Sequence, residues 1–200
     1  DPASYKSRDG KKRQRYRATV NLAPDHIDRR ARKYVPIVER EARRFGLKPQ
    51  LVMAVIHTES AFNPLALSDC YAVGLMQLIP KYGARDAYRK VYGQDRVLHQ
   101  EDLFAPEKNI ELGCAYLSLL CFDYFRDVVG EVKNRYVAIC GYNWGPTALR
   151  RRVVDRHSLN PMSDKEVYDL LRQRTPAETS DYLFRVSELM NFYKACFDEG

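Results

Sequence analysis

Glu59 stands at the end of a segment that is apolar on every side. Leu51 to Ile56 show no polar face, the pattern of a helix that runs through a core rather than along its surface. A carboxyl at the C-terminal end of such a helix feels two effects of the same sign. Burial disfavours its charged form, and the negative end of the helix dipole does so too. Both raise its pKa, as a general acid working near neutral pH requires. The same residues also allow a plainer reading, in which Glu59 emerges into solvent as the helix ends. His57, two residues earlier, points elsewhere on the helix and reads as a packed or solvated histidine.

The elements that must hold Glu59 are helical. The periodicity predicts a helix capped by Asp25, with Ile27, Ala31, Tyr34, Val38, Ala42 and Phe45 on one face, kinked at Pro36 and stopped by Gly46. The apolar helix follows from Pro49 to about Ser60, ended by Asn63-Pro64. Residues 65–73 read as a loop, Gly74 to Ile79 as a short apolar turn, and Ala84 to Val91 as a helix. Pro106 opens a long amphipathic helix reaching Tyr124, and Val132 to Tyr142 form another, broken at Gly145-Pro146. Two capping boxes, Ser163 with Glu166 and Thr175 with Glu178, start the last helices. The final one presents Leu183, Val186, Leu189, Met190 and Tyr193. No repeat, Gly/Ser linker or series of alternating strands accompanies them, so the expected fold is mainly α.

Composition narrows the class further. The 200 residues are 45% hydrophobic and 30% charged, which excludes a disordered or collagen-like chain. The longest aliphatic run is too short to cross a bilayer. The net charge of +7 is uneven: residues 1–50 hold 15 Lys+Arg against 6 Asp+Glu, and the other 150 hold 18 against 20. Residues 1–24 therefore read as a basic leader, with one short extended segment at 16–21, and residues 25–200 as the functional domain. One-ended charge without a recognition motif does not make a nucleic-acid surface, so no nucleic-acid partner is expected. The five cysteines are widely spaced and include no C-x-x-C pair, which argues against zinc. Cys114 and Cys121 lie seven apart on one helix, roughly 10 Å along its axis, too far to bridge.

The segment around Glu59 carries a family pattern. Glu59-Ser60-Ala61-Phe62-Asn63-Pro64, then Ser68, then Gly74-Leu75-Met76-Gln77, then Gly141-Tyr142-Asn143, then Glu178-Thr179 with Tyr182 follow one another in order. This series resembles the successive motifs of the family 1 lytic transglycosylases, over most of residues 25–195. The stretches Lys33-Tyr34-Val35-Pro36 and Ala105 to Ile110 add a resemblance to a membrane-bound branch of that family. The resemblance implies a lysozyme-like helical domain of the goose-type and soluble lytic transglycosylase kind. It also implies cleavage of the β-1,4 bond between N-acetylmuramic acid and N-acetylglucosamine, with closure of a 1,6-anhydro ring.

In that pattern Glu59 is the catalytic residue, acid first and base afterwards, one carboxyl doing the work of the usual glycosidase pair. Asp69 is the nearest second carboxyl and reads as a solvated loop residue. Ser68, Gln77, Tyr142, Asn143 and Tyr182 match substrate-side positions. Ser68 is expected near the substrate acetamido group and Glu59, and Gln77 to bond a sugar hydroxyl or acetamido group. Tyr142 is expected to orient the carboxyl, and Asn143 to hold the backbone and cleft wall. Tyr182 reads either as a cleft tyrosine or as an aromatic on the core face of the last helix. Ser60 and Glu178 are structural, a helix-end hydroxyl and a capping acid.

Two positions depart from the pattern: Gly141 stands where the family usually has Ala, and Trp144 where it has a small residue. Trp144 can stack on a sugar or fill the wall. The resemblance implies no metal and no cofactor, peptidoglycan glycan strands as the partner, and a monomer in the periplasm. Any membrane attachment is expected through a lipid anchor upstream of Asp1. Two alternatives stand beside the transglycosylase reading. One is a hydrolytic goose-type-like lysozyme, the other a catalytically silent peptidoglycan-binding module.

Overall fold

The computed structural model describes residues 3–6, 12–15 and 26–198. Ahead of the helices, β1 (Ala3–Lys6) and β2 (Lys12–Arg15) pair antiparallel, with Ala3 opposite Arg15 and Lys6 opposite Lys12. The sequence pattern gives little warning of these strands: Lys12–Arg15 has no apolar residue, and the alternation of Ala3 and Tyr5 in Ala3–Lys6 spans only four residues. The expected extended segment at 16–21 and the Asp25 cap lie outside the described residues.

Nine helices follow among the described residues. They are α1 (His26–Arg44), α2 (Pro49–Ser60), α3 (Gly83–Tyr92), α4 (Gln100–Leu103), α5 (Pro106–Leu119), α6 (Glu131–Trp144), α7 (Pro146–Arg152), α8 (Asp164–Arg174) and α9 (Ala177–Asp198). Proline sets the start of α2, α5 and α7, where its missing N–H costs nothing. α1 continues through Pro36 and stops at Gly46, whose φ is +69°. There the Leu47 N–H turns back to the Ala42 carbonyl at 2.8 Å. α2 is the axis of the molecule. Its Val52, Ala54, Val55 and Ile56 are fully enclosed, with α1 and α9 packed against it. Each large side chain buried this way contributes about 1.5–3 kcal/mol.

Two expectations need correction. The long helix from Pro106 does not stay α-helical to Tyr124: after Leu119 it widens into a π turn over Leu120–Tyr124. The Asn134 amide donates to the Cys121 and Phe125 carbonyls at 2.9 and 2.7 Å, supplying hydrogen bonds that the ladder there lacks. Of the two capping boxes, Ser163 with Glu166 forms in both directions, at 3.3 and 2.7 Å. Thr175 instead closes α8, its hydroxyl donating to the Leu171 carbonyl at 2.7 Å, and α9 starts at Ala177.

Three of the cysteines behave as core residues. Cys114, Cys121 and Cys140 are buried free thiols, and Cys70 is free and exposed. Burial pushes the Cys121 thiol up to about 12 and raises those of Cys114 and Cys140 as well, so none of the three offers a thiolate near neutral pH. Gly141 also has a packing reason. A β-carbon there would lie 2.6 Å from the Phe125 ring, so the methyl group usual in the family would displace that buried phenyl.

Candidate active site

α2 carries Glu59 one turn past its last fully buried residue, where the chain leaves the helix under strain. Ala61 and Phe62 take φ of +47° and +61°, a left-handed conformation that side chains with a β-carbon resist. Tyr71 and Gln77 do the same at +62° and +47°. Among the described residues these are the only non-glycine positions of this kind, and all four fall in one stretch of 17 residues. Such strain persists only where surrounding contacts over-determine the backbone. Phe62, 1% exposed, is held between the rings of Tyr34, His57 and Tyr193. His57 meets the Tyr193 hydroxyl at 2.9 Å through Nδ1, and burial lowers its pKa. It is the packed histidine of the first expectation, not a solvated one.

The turn after the loop is fastened from three sides. Ser60 donates to the Leu75 carbonyl at 2.8 Å, joining the end of α2 to it. Asn109 of α5, fully buried, accepts from the Met76 N–H at 2.8 Å. Its amide donates to the Val73 and Leu103 carbonyls at 2.9 and 2.8 Å. Gly74 makes that approach geometrically feasible, since a β-carbon on it would sit 2.3 Å from the Asn109 amide nitrogen. Tyr142 of α6 completes the set, donating to the Met76 carbonyl at 2.7 Å.

Among the described residues the Glu59 carboxyl has one direct side-chain hydrogen-bond partner, the Tyr182 hydroxyl of α9, which donates to its Oε1 at 2.7 Å. Burial pushes the carboxyl up to about 7. The Tyr182 bond and the Arg185 charge pull it down, and the Glu178 charge pushes it up. The Tyr142 and Tyr182 phenols are raised well above their ordinary value, by burial first and then by the Glu59 charge. Both therefore remain donors.

The six residues singled out in the sequence thus converge on one region, though not always in the expected roles. Tyr142 does not orient the carboxyl. Its hydroxyl is taken by the Met76 carbonyl, and Tyr182 holds Glu59 instead. The two readings of Tyr182 merge, since it is 3% exposed in the core and bonded to Glu59 at once. Both donor hydrogens of the Gln77 amide go to the Ala66 and Gly74 carbonyls at 3.1 and 2.9 Å. Its Oε1 is the atom left to face a ligand. Ser68 accepts from the Ala72 N–H at 3.0 Å and closes the loop turn. Asn143 accepts from the Thr179 hydroxyl at 2.7 Å, tying α6 to α9.

A cleft of about 470 Å³ opens along this wall, with Gln77, Tyr142, Asn143 and Trp144 among its lining. Tyr116, Tyr124 and Asp86 face it from α5, the π turn and α3, and the Tyr124 hydroxyl bonds Asp86 at 3.2 Å. Asp69 is exposed in the loop and outside that lining. Among the described residues no group of three His, Cys, Asp or Glu converges as a metal-ligand set. Glu59 is not itself in that lining, but its charge is felt there by Tyr142, and a carboxyl with a raised pKa next to a polar and aromatic cleft wall suits proton transfer to a sugar.

Comparison with known proteins fits this geometry. The sequence model of the transglycosylase SLT domain matches residues 36–162. The chain belongs to that family. The match takes in Glu59, Ser68, Gln77, Tyr142 and Asn143, and stops short of Tyr182. Membrane-bound lytic murein transglycosylase C of Salmonella arizonae is 35% identical over 195 residues, covering 94% of this chain and 54% of its own length. The same-named protein of Klebsiella pneumoniae has the same identity and coverage. The chain spans about half the length of these relatives. Lytic transglycosylase Slt of Pseudomonas aeruginosa, solved as an inactive mutant, superposes with a TM-score of 0.66 at 29% identity, over 82% of this chain and 24% of its own. The 70-kDa soluble lytic transglycosylase of Escherichia coli gives 0.64 at 23%, over 81% and 24%, and shares the fold. The lysozyme-like helical fold expected from the motifs is therefore the fold of this family member.

Asn109 and Thr179 were not legible as site residues. Asn109 is a polar residue within an otherwise apolar helix face, and that anomaly was the available signal. Thr179 belongs to the Glu178-Thr179 motif, but nothing in the sequence marked its hydroxyl as the partner of Asn143.

Proposed function

We propose that the chain is a lytic transglycosylase of bacterial peptidoglycan. The observation that carries this reading is the Glu59 carboxyl, pushed to about 7 and touched by a hydroxyl rather than a cation. At neutral pH about half of such groups hold a proton. The protonated carboxyl gives it to the glycosidic oxygen as the bond to C1 of the muramoyl residue breaks. The resulting carboxylate then takes the proton of the C6 hydroxyl while O6 bonds to C1. The 1,6-anhydro ring closes, Glu59 is protonated again, and no water is consumed. Tyr182 holds the carboxyl in place through both steps. The strained, multiply fastened turn at Gly74–Gln77 fixes the wall against which the sugar lies. Gln77 Oε1, Asn143 and the Ser68 loop serve that wall.

The names of the relatives, membrane-bound and murein-acting, support a periplasmic location at a membrane surface. No helix among the described residues is long and apolar enough to cross one. Residues 1–24, ahead of the catalytic body at 25–200, serve as a basic segment drawn to an anionic wall polymer. The test is product analysis by mass spectrometry on purified sacculi. Anhydro-muropeptides, one water lighter than hydrolysis products, are expected, and Glu59→Gln should abolish them. Reducing-end products would instead mark a hydrolytic lysozyme.

A further inference from the structure

The catalytic cleft does not end at Asn143 and Trp144. Thr147 and Ala148 of α7 line both it and a second concavity of about 660 Å³, whose other lining residues are Arg151, Arg152 and Arg156. All three arginines are exposed. Arg152 lies over the Trp144 ring at 5.6 Å, so the two concavities meet across a stacked guanidinium and indole. The Arg156 Nε donates to the Arg151 carbonyl at 3.1 Å, bringing its guanidinium onto the end of α7.

Among the described residues none of the three has a carboxylate partner, although the same helix turn contains an arginine that does. Arg150 is bonded to Asp127 at 2.6 Å and to Asp155 at 3.4 Å. Asp127 and Asp155 are thus engaged by Arg150. The C-terminal end of a helix tolerates cations, and three exposed guanidiniums gathered around a concave surface present a positive patch that suits an anion. Planar guanidinium forks suit carboxylates.

The geometry points to this arginine hollow as the docking surface for the peptide carboxylates that peptidoglycan carries beside its glycan strand. The occupant follows from continuity. A polymer lying in the cleft runs on past Thr147 and Ala148 into the hollow, and its sugars are neutral while its peptide branches are acidic. A membrane headgroup layer has no such continuity with the cleft. The inference rests on the peptidoglycan reading above, and it makes Arg151 and Arg156 determinants of substrate preference rather than of the chemistry.

The test compares glycan strands bearing their peptides with strands stripped of them by an amidase, the lactyl carboxylates so freed being converted to methylamides to leave the stripped strand neutral. Binding to the turnover-silent Glu59→Gln chain is measured by calorimetry, and kcat/KM on the active chain. The expected result is tighter binding and higher kcat/KM with the peptide-bearing strands. That preference should fall roughly tenfold in an Arg151→Gln/Arg156→Gln double variant, with loss of its salt dependence. An unchanged preference in the double variant overturns the proposal. So does loss of binding to anionic lipid vesicles in place of peptide-bearing strands. Failure of the active chain to turn over either strand would sink the transglycosylase reading, while the binding ratio would still decide the role of the hollow.

Discussion

Glu41 and Glu59 are two acids that the fold draws away from water, and it treats them in opposite ways. Glu41, 4% exposed on α1, accepts from Arg40 at 2.8 Å and from Arg44 at 3.2 Å, and Arg44 goes on to Glu111 of α5 at 2.9 Å. Two guanidiniums of its own helix meet that carboxylate, and Arg44 carries the contact across from α1 to α5. Glu59, on the neighbouring helix, meets a phenol alone, and burial carries it up to about 7. Burial therefore does not by itself make an acid catalytic. What matters is whether the partner supplied is a charge, which compensates desolvation, or a neutral donor, which leaves most of it in force.

Glu59→Gln is the hardest test of that contrast. Turnover of peptidoglycan should fall by about a thousandfold, read as anhydro-muropeptide release. Glu41→Gln should leave turnover per folded molecule intact, and an equal loss there would erase the distinction. The second test is thermodynamic. A carboxyl raised from 4.5 to about 7 binds its proton more tightly in the folded chain than in the unfolded one. The fold consequently loses stability as pH climbs from 4.5 to 7, by on the order of 3 kcal/mol in full above 7. Urea unfolding should find Glu59→Gln more stable than the parent above pH 7 and level with it below pH 4.5. A gap that does not change with pH would contradict the assignment.

Glu41→Gln should show the reverse sign, destabilising by about 1–2 kcal/mol at neutral pH through weakened charge-assisted bonds, seen as a lower Tm. The smallest effect is expected from Tyr182→Phe. The Tyr182 bond favours the ionised form of Glu59, so its loss raises the carboxyl further. The alkaline fall of activity, centred near 7 in the parent, should then move to higher pH. A pH profile that stays in place while kcat drops would give Tyr182 a purely steric role.

Much of the helical frame was readable because its signals are local. Pro49, Pro106 and Gly46 mark ends by backbone geometry alone, and the unbroken apolar run of α2 announces its burial. The π turn at Leu120 was not readable, because its cause is Asn134 on another helix. The same limit separates Ser163 from Thr175: both are followed by Glu three residues on, but the Thr175 hydroxyl is claimed by the end of α8. Glu59 was legible through the conflict between its charge and its surroundings. Its partner was not, since Tyr182 lies 123 positions away and Tyr142 offered the same phenol on an equally plausible helix.

The sequence by itself determined that this chain would be helical, that α2 would run through the core and that its one carboxyl would stand at the end of that apolar run, with both burial and emergence into solvent left open. These follow from periodicity, from proline and glycine, and from the cost of burying charge. The tertiary structure decided which phenol reaches Glu59, that Asn109 and Gly74 together shape the wall beside it, and that three arginines gather without acids where the cleft continues. Those are outcomes of distance between residues far apart in the chain. Local preferences do not encode that distance, and only the packing of α2 against α1 and α9, and of α6 and α7 around the cleft, sets it.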